Sequence, residues 1–348
     1  MSALSSNRVK VTSILALESR NSCNYSFTLL CHAGSAAFCA GKHLLPWQCG
    51  LLLTEIHNGY IMHTTKEWFI ERFTPTGTAN GFEITARLEQ VQSAFQQIEI
   101  FDTRAWGKLM VIDGAIMLTS RDNFLYHEMI SHPVLFTHPS PQNVTIIGGG
   151  DCGTLKEVLK HPGICQVTQC DIDVCVTQMA EKYFPELCVS NSDPRAHLLF
   201  EDGVAHVQTL ADASMDVIIV DSTDPVGPAE GLFDLAFYKQ CMRVLKPNGL
   251  LVQQSESPIG LLPWMQHMRK TMRLAGFASL QTLHFPQPCY PTGWWSVTMA
   301  SKQEDFAFDY RYADVAVRGF ATEYYCEKVH ASARVLPPFV ARAFALVS

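Results

Sequence analysis

The chain has 348 residues, 47% hydrophobic and 17% charged, with 33 Asp and Glu against 26 Lys and Arg for a net charge of -7. That length suffices for one large domain and a smaller one, each burying its own core. The acidic balance argues against a nucleic-acid partner, which needs a basic face, and no run reaches the ~18 uninterrupted apolar residues of a membrane span.

Residues 1–61 hold four cysteines and only six Lys, Arg, Asp or Glu residues, with no sustained helical or strand period. The apolar patch Val11 to Leu17 is too short for a signal peptide. This segment reads as an extension outside the fold, disordered or a mis-called start, with Met62 the expected initiator. Mass spectrometry of the native N-terminus decides it. The twelve cysteines of the chain do not make a secreted framework, because the chain is long and rich in apolar residues. They read as reduced thiols of a cytoplasmic protein. Cys165, Cys170 and Cys175, at steps of five, match no usual zinc spacing, and no metal is expected.

Residues 62–138 read as a small antiparallel β domain with a linking helix. "GFEITARLEQVQSAFQQIEIFDT" and "GKLMVIDGAIMLTS" alternate apolar and polar residues, with turns at Gly81, Gly107 and Asp113-Gly114. A helix over 124–137 carries Tyr126 and Glu128 near its start.

Residues 139–348 read as an α/β catalytic domain. "VTIIGGG", "QVTQCDID", "HLLFEDG", "MDVIIVDSTDP" and "GLLVQQS" are strands with helices between them. That alternation predicts a parallel sheet covered on both faces, a Rossmann-like domain of the class I methyltransferase type.

The turn Gly148-Gly149-Gly150-Asp151-Cys152-Gly153 follows a buried strand and opens a helix, so its backbone can approach a nucleoside closely. Asp171, at the end of the next strand, is placed to accept from ribose hydroxyls. A pyrophosphate would be repelled by Asp151, so the pattern prefers a cationic nucleoside such as a relative of S-adenosylmethionine. Asp202-Gly203 ends the third strand and is placed to reach the adenine, with Asp202 also a helix N-cap. The run from Asp221 to Glu230, with Asp221, Asp224, Pro225, Gly227 and Pro228, is a stiffened loop at the sheet's ligand-binding edge. Its acids face a cleft rather than bulk water.

These segments, with "WFIE" at Trp68, "QSAFQQI" around Gln96, "LMVIDG", "YHEM" at Tyr126, "QPCYPTG" around Tyr290 and "YYCEKVH" at Tyr324, resemble the spermidine synthase family of polyamine aminopropyltransferases, bacterial type. The resemblance covers about residues 65–340. It implies transfer of an aminopropyl group from decarboxylated S-adenosylmethionine to putrescine, giving spermidine and methylthioadenosine. The donor is a co-substrate, so no cofactor is expected. It also implies a homodimer or homotetramer, with no nucleic-acid or membrane partner.

The resemblance assigns roles as well. Asp221 with Tyr126 orients and deprotonates the attacking amine. Gln96, Gly148, Gly150, Asp151, Asp171, Asp202, Gly203 and Pro228 serve the donor. Trp68, His127, Asp224, Gln254 and Tyr290 serve the acceptor, and the loop from Pro225 to Leu232 closes over both.

The chain departs from the family pattern at three places. Cys152 stands where glycine is usual, Met117 where Gln is expected, and Asn123 where Glu is common. Cys152 disfavours the positive φ that glycine takes freely. A methyltransferase on the same fold would not need Asp151 together with the Asp221 loop. A non-catalytic polyamine-binding protein could dispense with Asp221 or Tyr126. An enzyme of the same class acting on cadaverine or spermidine stays open, because acceptor length depends on channel depth.

Overall fold

The computed structural model describes residues 55–57, 60–62, 67–224 and 227–347. Most of the expected extension, and the patch from Val11 to Leu17, lie outside these. Within it a short antiparallel hairpin, β1 (Glu55–His57) and β2 (Tyr60–Met62), forms a unit by itself. Three-residue strands are too short to set a sequence period.

The second unit begins with a five-stranded antiparallel sheet in sequential order: β3 (Glu67–Phe73), β4 (Thr78–Gln92), β5 (Gln97–Thr103), β6 (Lys108–Ile112) and β7 (Ala115–Thr119). In β3 the period of two turns Trp68, Ile70 and Arg72 outward and Glu71 and Phe73 inward. That phase decides which acid of the β domain reaches the interior.

Helix α1 (Asn123–Thr137) leads into the larger sheet, whose strand order is β10-β9-β8-β11-β12-β14-β13. Its parallel strands are β8 (Asn143–Gly148), β9 (Gln166–Asp171), β10 (Ala196–Phe200), β11 (Met215–Asp221) and β12 (Leu245–Gln254). The sheet is not parallel throughout. After α6 (Leu262–Ala275), β13 (Ser279–Pro286) and β14 (Trp294–Ser301) form an antiparallel hairpin, and β14 joins it to the sheet by pairing antiparallel with β12. "QPCYPTG" supplies the connection, and such a short loop permits only an antiparallel return.

Both faces of the sheet are covered. Along β11, Val217 and Ile219 join the core under α1 and α2 (Gly153–Leu159), while Ile218 and Val220 join the opposite core. There Phe237, Tyr238 and Cys241 of α5 (Leu235–Val244) and Met268 and Met272 of α6 close over them. A strand buried on both sides reads as an unbroken apolar run, which is why "VIIV" carries no alternation. The remaining helices are α3 (Val174–Tyr183), α4 (Gly203–Thr209), α7 (Tyr312–Ala316), α8 (Glu327–Ala333) and α9 (Pro338–Ala345). Glu128, buried in α1, accepts from the N–H groups of Glu323, Tyr324 and Tyr325 at 2.7–2.9 Å. That carboxylate is what ties "YHEM" to "YYCEKVH" across the fold.

Three buried histidines give the fold an acid sensitivity. Burial pushes His138 down to about 4, His161 to about 2 and His330 to about 3, with His132 adding to the effect on His161 and Arg334 to that on His330. An unfolded chain protonates each as pH falls through about 6.5, while the folded chain does not. The unfolded state then holds more protons, so stability falls with pH below about 6.5, by up to about 1.4 kcal/mol per unit per histidine. Raised carboxyls such as Glu71 and Asp171 act in the opposite sense over the same window, so the histidine share is read by substitution: the change in melting temperature from pH 7 to pH 5 is expected to be less destabilising, by several °C, in His138→Gln than in the unaltered chain. An identical pH response in the two would remove this account.

Candidate active site

The carboxyl edge of the large sheet opens on a cavity of about 440 Å³, within the size of a small-molecule site. Strand ends deliver its polar groups: Gly148 to Asp151 after β8, Asp171 at the end of β9, Asp202 after β10, Asp221 to Asp224 after β11, and Gln254 on β12. The β domain adds Glu71, Gln96 and Asp113, and α1 adds Tyr126. Seven carboxylic residues line the cavity, and among its described lining residues there is no Lys, Arg or His. Such a site suits a ligand of positive charge.

The glycine turn is forced by close approach. Gly148 has φ +84, and a Cβ there would lie 2.0 Å from the Asp221 carbonyl oxygen. The next residue, Gly149, donates its N–H to that same oxygen at 2.8 Å, which locks β8 to β11 at the mouth of the site. Cys152, where glycine was expected, takes φ +68 all the same. The turn therefore keeps the glycine-like conformation, at a cost of about 1–3 kcal/mol. Its N–H donates to Gly149 O at 2.8 Å, and Asp151 Oδ1 accepts from the Gly153 N–H at 2.7 Å, which together hold the strained loop.

Asp221 is gripped from two sides. Tyr126 donates its hydroxyl to Oδ1 at 2.7 Å, and Thr154, in the first turn of α2, donates to Oδ2 at 2.6 Å. Burial, then the neighbouring Asp151 charge, hold the Asp221 carboxyl above its ordinary range. Asp151 behaves oppositely. Burial works against its charge, but His127 Nε2 at 3.1 Å and the Gly153 N–H outweigh burial and keep the carboxyl below its ordinary range. Two acids of one site are thus driven apart in strength, the usual mark of divided labour.

Most of the expected site residues meet here. Gln96, Gly148, Gly150, Asp151, Asp171, Asp202, Gly203, Tyr126, Asp221, Asp224, Gln254 and Tyr290 all line the cavity. Burial pushes Asp171 up to about 6, and its Oδ1 accepts from the Asp173 N–H at 2.9 Å. Asp202 caps α4, accepting from Val204 N–H at 2.7 Å and Ala205 N–H at 3.3 Å. Gln96 donates to Asp173 Oδ2 at 3.0 Å. Gly227 and Ala229 line the cavity, while Pro225, Val226 and the side chain of Pro228 lie outside what is described.

Two expected residues do not line it. Trp68 is 52% exposed, because the phase of β3 turns it away from the interior. Glu71 is the residue of "WFIE" that reaches the cavity instead. His127 is buried behind Asp151, and the absence of a side chain at Gly153 makes room for its ring: a Cβ there would lie 2.2 Å from His127 Cε1. His127 thus contacts Asp151 and does not line the cavity.

Several contributors escaped sequence reasoning. Thr154 and Trp295 carried no motif, although Trp295 packs on Tyr290 at 4.8 Å between ring centroids. Met117, where Gln was expected, supplies a polar contact through its backbone: Tyr290 donates its hydroxyl to Met117 O at 2.8 Å. Asn123, the third departure, donates to Thr119 O at 2.9 Å at the start of α1.

Cys165, Cys170 and Cys175 form no ligand group. Among the described residues the set that converges is Cys170, Glu201 and His206, with ligand atoms within 4.8 Å of one another. Burial pushes the Cys170 thiol up to about 12, and His206 Nδ1 already pairs with Glu201 Oε1 at 2.9 Å. No helix among the described residues is long and apolar enough to cross a membrane.

Comparison with known proteins gives a consistent picture. Residues 123–310 match the model of the spermine/spermidine synthase domain, and residues 67–120 match that of the spermidine synthase tetramerisation domain. A polyamine aminopropyltransferase of Xanthomonas euvesicatoria pv. vesicatoria (strain 85-10) is 64% identical over 282 residues, 81% of this chain and 99% of the relative. A polyamine aminopropyltransferase of Xanthomonas campestris pv. campestris (strain B100) is 63% identical over the same shares. Among solved structures, a spermidine synthase in complex with the transition state analogue AdoDATO superposes with TM-score 0.78 at 34% identity, covering 81% of this chain and 96% of that one. The spermidine synthase of Thermotoga maritima gives TM-score 0.76 at 34% identity, with the same coverage.

Proposed function

Since the chain belongs to the spermine/spermidine synthase family and is an aminopropyltransferase, we propose that its donor is decarboxylated S-adenosylmethionine and its acceptor putrescine. The products are then spermidine and methylthioadenosine. The observation that carries this reading is the cavity itself: seven carboxylic residues and no basic one among those described. Both co-substrates are cations, and both find their counter-charge there.

In this reading the amine lone pair attacks the carbon beside the sulfonium. The carbon–sulfur bond breaks with its electron pair going to sulfur, so the leaving group departs as a neutral thioether and needs no acid. The enzyme must supply an amine without its proton, held in line. Asp221 takes that proton and Tyr126 fixes the carboxylate that receives it. Thr154 is added to these as a positioning residue on the evidence of its 2.6 Å contact. Asp151, Asp171, Asp202, Gln96 and the glycine turn serve the donor, and Asp224, Gln254 and Tyr290 the acceptor. No cofactor enters the chemistry.

We further place the protein in the cytoplasm as a homo-oligomer, dimer or tetramer. The eight described cysteines are free thiols, in keeping with a reducing compartment. Residues 67–120 match a domain named for tetramerisation.

The test is to incubate the purified protein with decarboxylated S-adenosylmethionine and, separately, putrescine, cadaverine or spermidine, reading methylthioadenosine and polyamine by mass spectrometry. Release with putrescine well above the other amines supports the reading. Faster turnover of a longer amine replaces the acceptor and leaves the reaction class intact.

A further inference from the structure

The glycine turn carries a nucleophile that the transfer chemistry does not use. Cys152 is fully buried, at φ +68, and its Sγ accepts from Gln169 Nε2 at 3.5 Å. A second thiol stands beside it. Cys188, part exposed in the loop between α3 and β10, places its Sγ 3.8 Å from the carbonyl oxygen of Asp151, in the peptide that joins Asp151 to Cys152. The two thiols share a hydrogen bond. The loop is pinned where it carries the second sulfur: the N–H groups of Leu187, Cys188 and Asn191 donate to Phe184 O, Pro185 O and Cys188 O at 2.9, 3.1 and 3.1 Å. The sulfurs are therefore kept as neighbours.

The Cys188 hydrogen bond, opposed by burial and helped by Gln169, holds the Cys152 thiol below its ordinary range, and the same bond pushes the Cys188 thiol up. The proton of the pair thus belongs to Cys188, and Cys152 is the nucleophilic sulfur. Cys188, the part-exposed member, marks the side that faces solvent.

We propose that Cys152 and Cys188 are a dithiol that peroxides close into a reversible disulfide, and that the closed form binds the donor poorly. The bond itself is independent of the donor reading above, and its effect on binding rests on that reading. In the first step the thiolate attacks a peroxide oxygen: a sulfur–oxygen bond forms, the oxygen–oxygen bond breaks, and the departing hydroxide takes the proton of the other thiol and leaves as water. The thiolate so formed attacks the sulfenic sulfur. The sulfur–sulfur bond forms, and the second hydroxide leaves as water with a proton from solvent. The dithiol gives up two protons and two electrons, and the peroxide is reduced to two waters.

A disulfide sets its sulfurs about 2.0 Å apart, well inside the contact of two hydrogen-bonded thiols. Closing that gap draws Cys152, and Asp151 with it, toward the Cys188 loop. Asp151 is positioned by the Gly153 N–H at 2.7 Å and His127 Nε2 at 3.1 Å, and the pull works against both contacts. In a reducing compartment such a bond is transient, which is how intracellular disulfides serve as sensors.

The experiment treats the reduced full chain with hydrogen peroxide, desalts it, caps free thiols with iodoacetamide and maps the peptides by mass spectrometry. The expected product joins the Cys152 and Cys188 peptides. By calorimetry, methylthioadenosine is expected to bind the oxidised chain about tenfold or more weakly than the reduced chain, with dithiothreitol restoring the affinity. Cys188→Ser is expected to bind as the reduced chain does and to keep that affinity through peroxide treatment. Cys152→Gly, which suits the positive φ, is expected to be equally insensitive to peroxide and serves if Cys188→Ser does not fold. Cysteines left unlinked, a link that leaves the affinity unchanged, or an equal loss in Cys188→Ser each overturns the proposal. If the reduced chain does not bind methylthioadenosine at all, the donor reading fails and the proposed switch with it, whatever the peptide map shows of the bond.

Discussion

Asp221→Asn is expected to lower kcat by about 10³-fold while the donor binds nearly as before. The substitution keeps the shape of the side chain and removes its capacity to take a proton. It also disturbs a matched pair of hydrogen bonds. Tyr126 and Thr154 both donate to Asp221, at 2.7 and 2.6 Å, so a carboxylate accepts from both at once. An amide offers one acceptor and one donor, and one hydroxyl must turn away or face an N–H. The amine then stays protonated, as a free alkyl ammonium with pKa near ~10 does at neutral pH. Tyr126→Phe and Thr154→Val remove one donor each and leave the base, so each is expected to cost about 10- to 100-fold. Single-turnover release of methylthioadenosine measures the chemical step directly. A loss below tenfold in Asp221→Asn would mean that the amine reaches the site already neutral, with Asp221 serving only as a counter-charge.

Much of this site was legible in the sequence because parallel α/β sheets place ligands at the carboxyl ends of their strands. Once "VTIIGGG", "QVTQCDID" and "MDVIIVDSTDP" are read as strands, Asp151, Asp171 and Asp221 must converge. What the sequence hides is phase and contact between distant elements. Trp68 drew attention as the aromatic residue of its motif, yet an offset of three on a strand puts Glu71 on the other face. Thr154 and Asp221 are 67 residues apart, and nothing local marks either as the other's partner. His127 follows Tyr126 directly, but the helix turns it toward Asp151 rather than the cavity. The antiparallel hairpin β13–β14 was missed for a different reason. "QPCYPTG" was read as a binding motif, when it is also the turn that makes a parallel continuation impossible.

Asp151 carries the second large effect, on the choice of donor. Ordinary S-adenosylmethionine has a carboxylate where the decarboxylated form has none, and Asp151 lines the cavity at the glycine turn. A like-charge clash in a buried site costs several kcal/mol, and each ~1.4 kcal/mol is a tenfold change in preference. Asp151→Asn is therefore expected to weaken binding of the decarboxylated donor. It should also narrow its advantage over S-adenosylmethionine, scored as a competitive inhibitor, by about tenfold or more.

His127 makes the argument separable from simple damage to the loop. Burial alone would raise the Asp151 carboxyl, and the His127 contact at 3.1 Å, ahead of the Gly153 N–H and Lys156, holds it below its ordinary range. In His127→Leu that support is gone, so Asp151 ionises only at higher pH. Discrimination between the two donors should then be poor at low pH and recover as pH rises, whereas in Asp151→Asn it stays poor throughout. Sign and residue are tied together here: a loop merely distorted by the leucine gives a pH-independent loss. A preference that survives Asp151→Asn unchanged would move donor choice to another acid of the cavity, with Asp171 and Asp221 both beside the same turn.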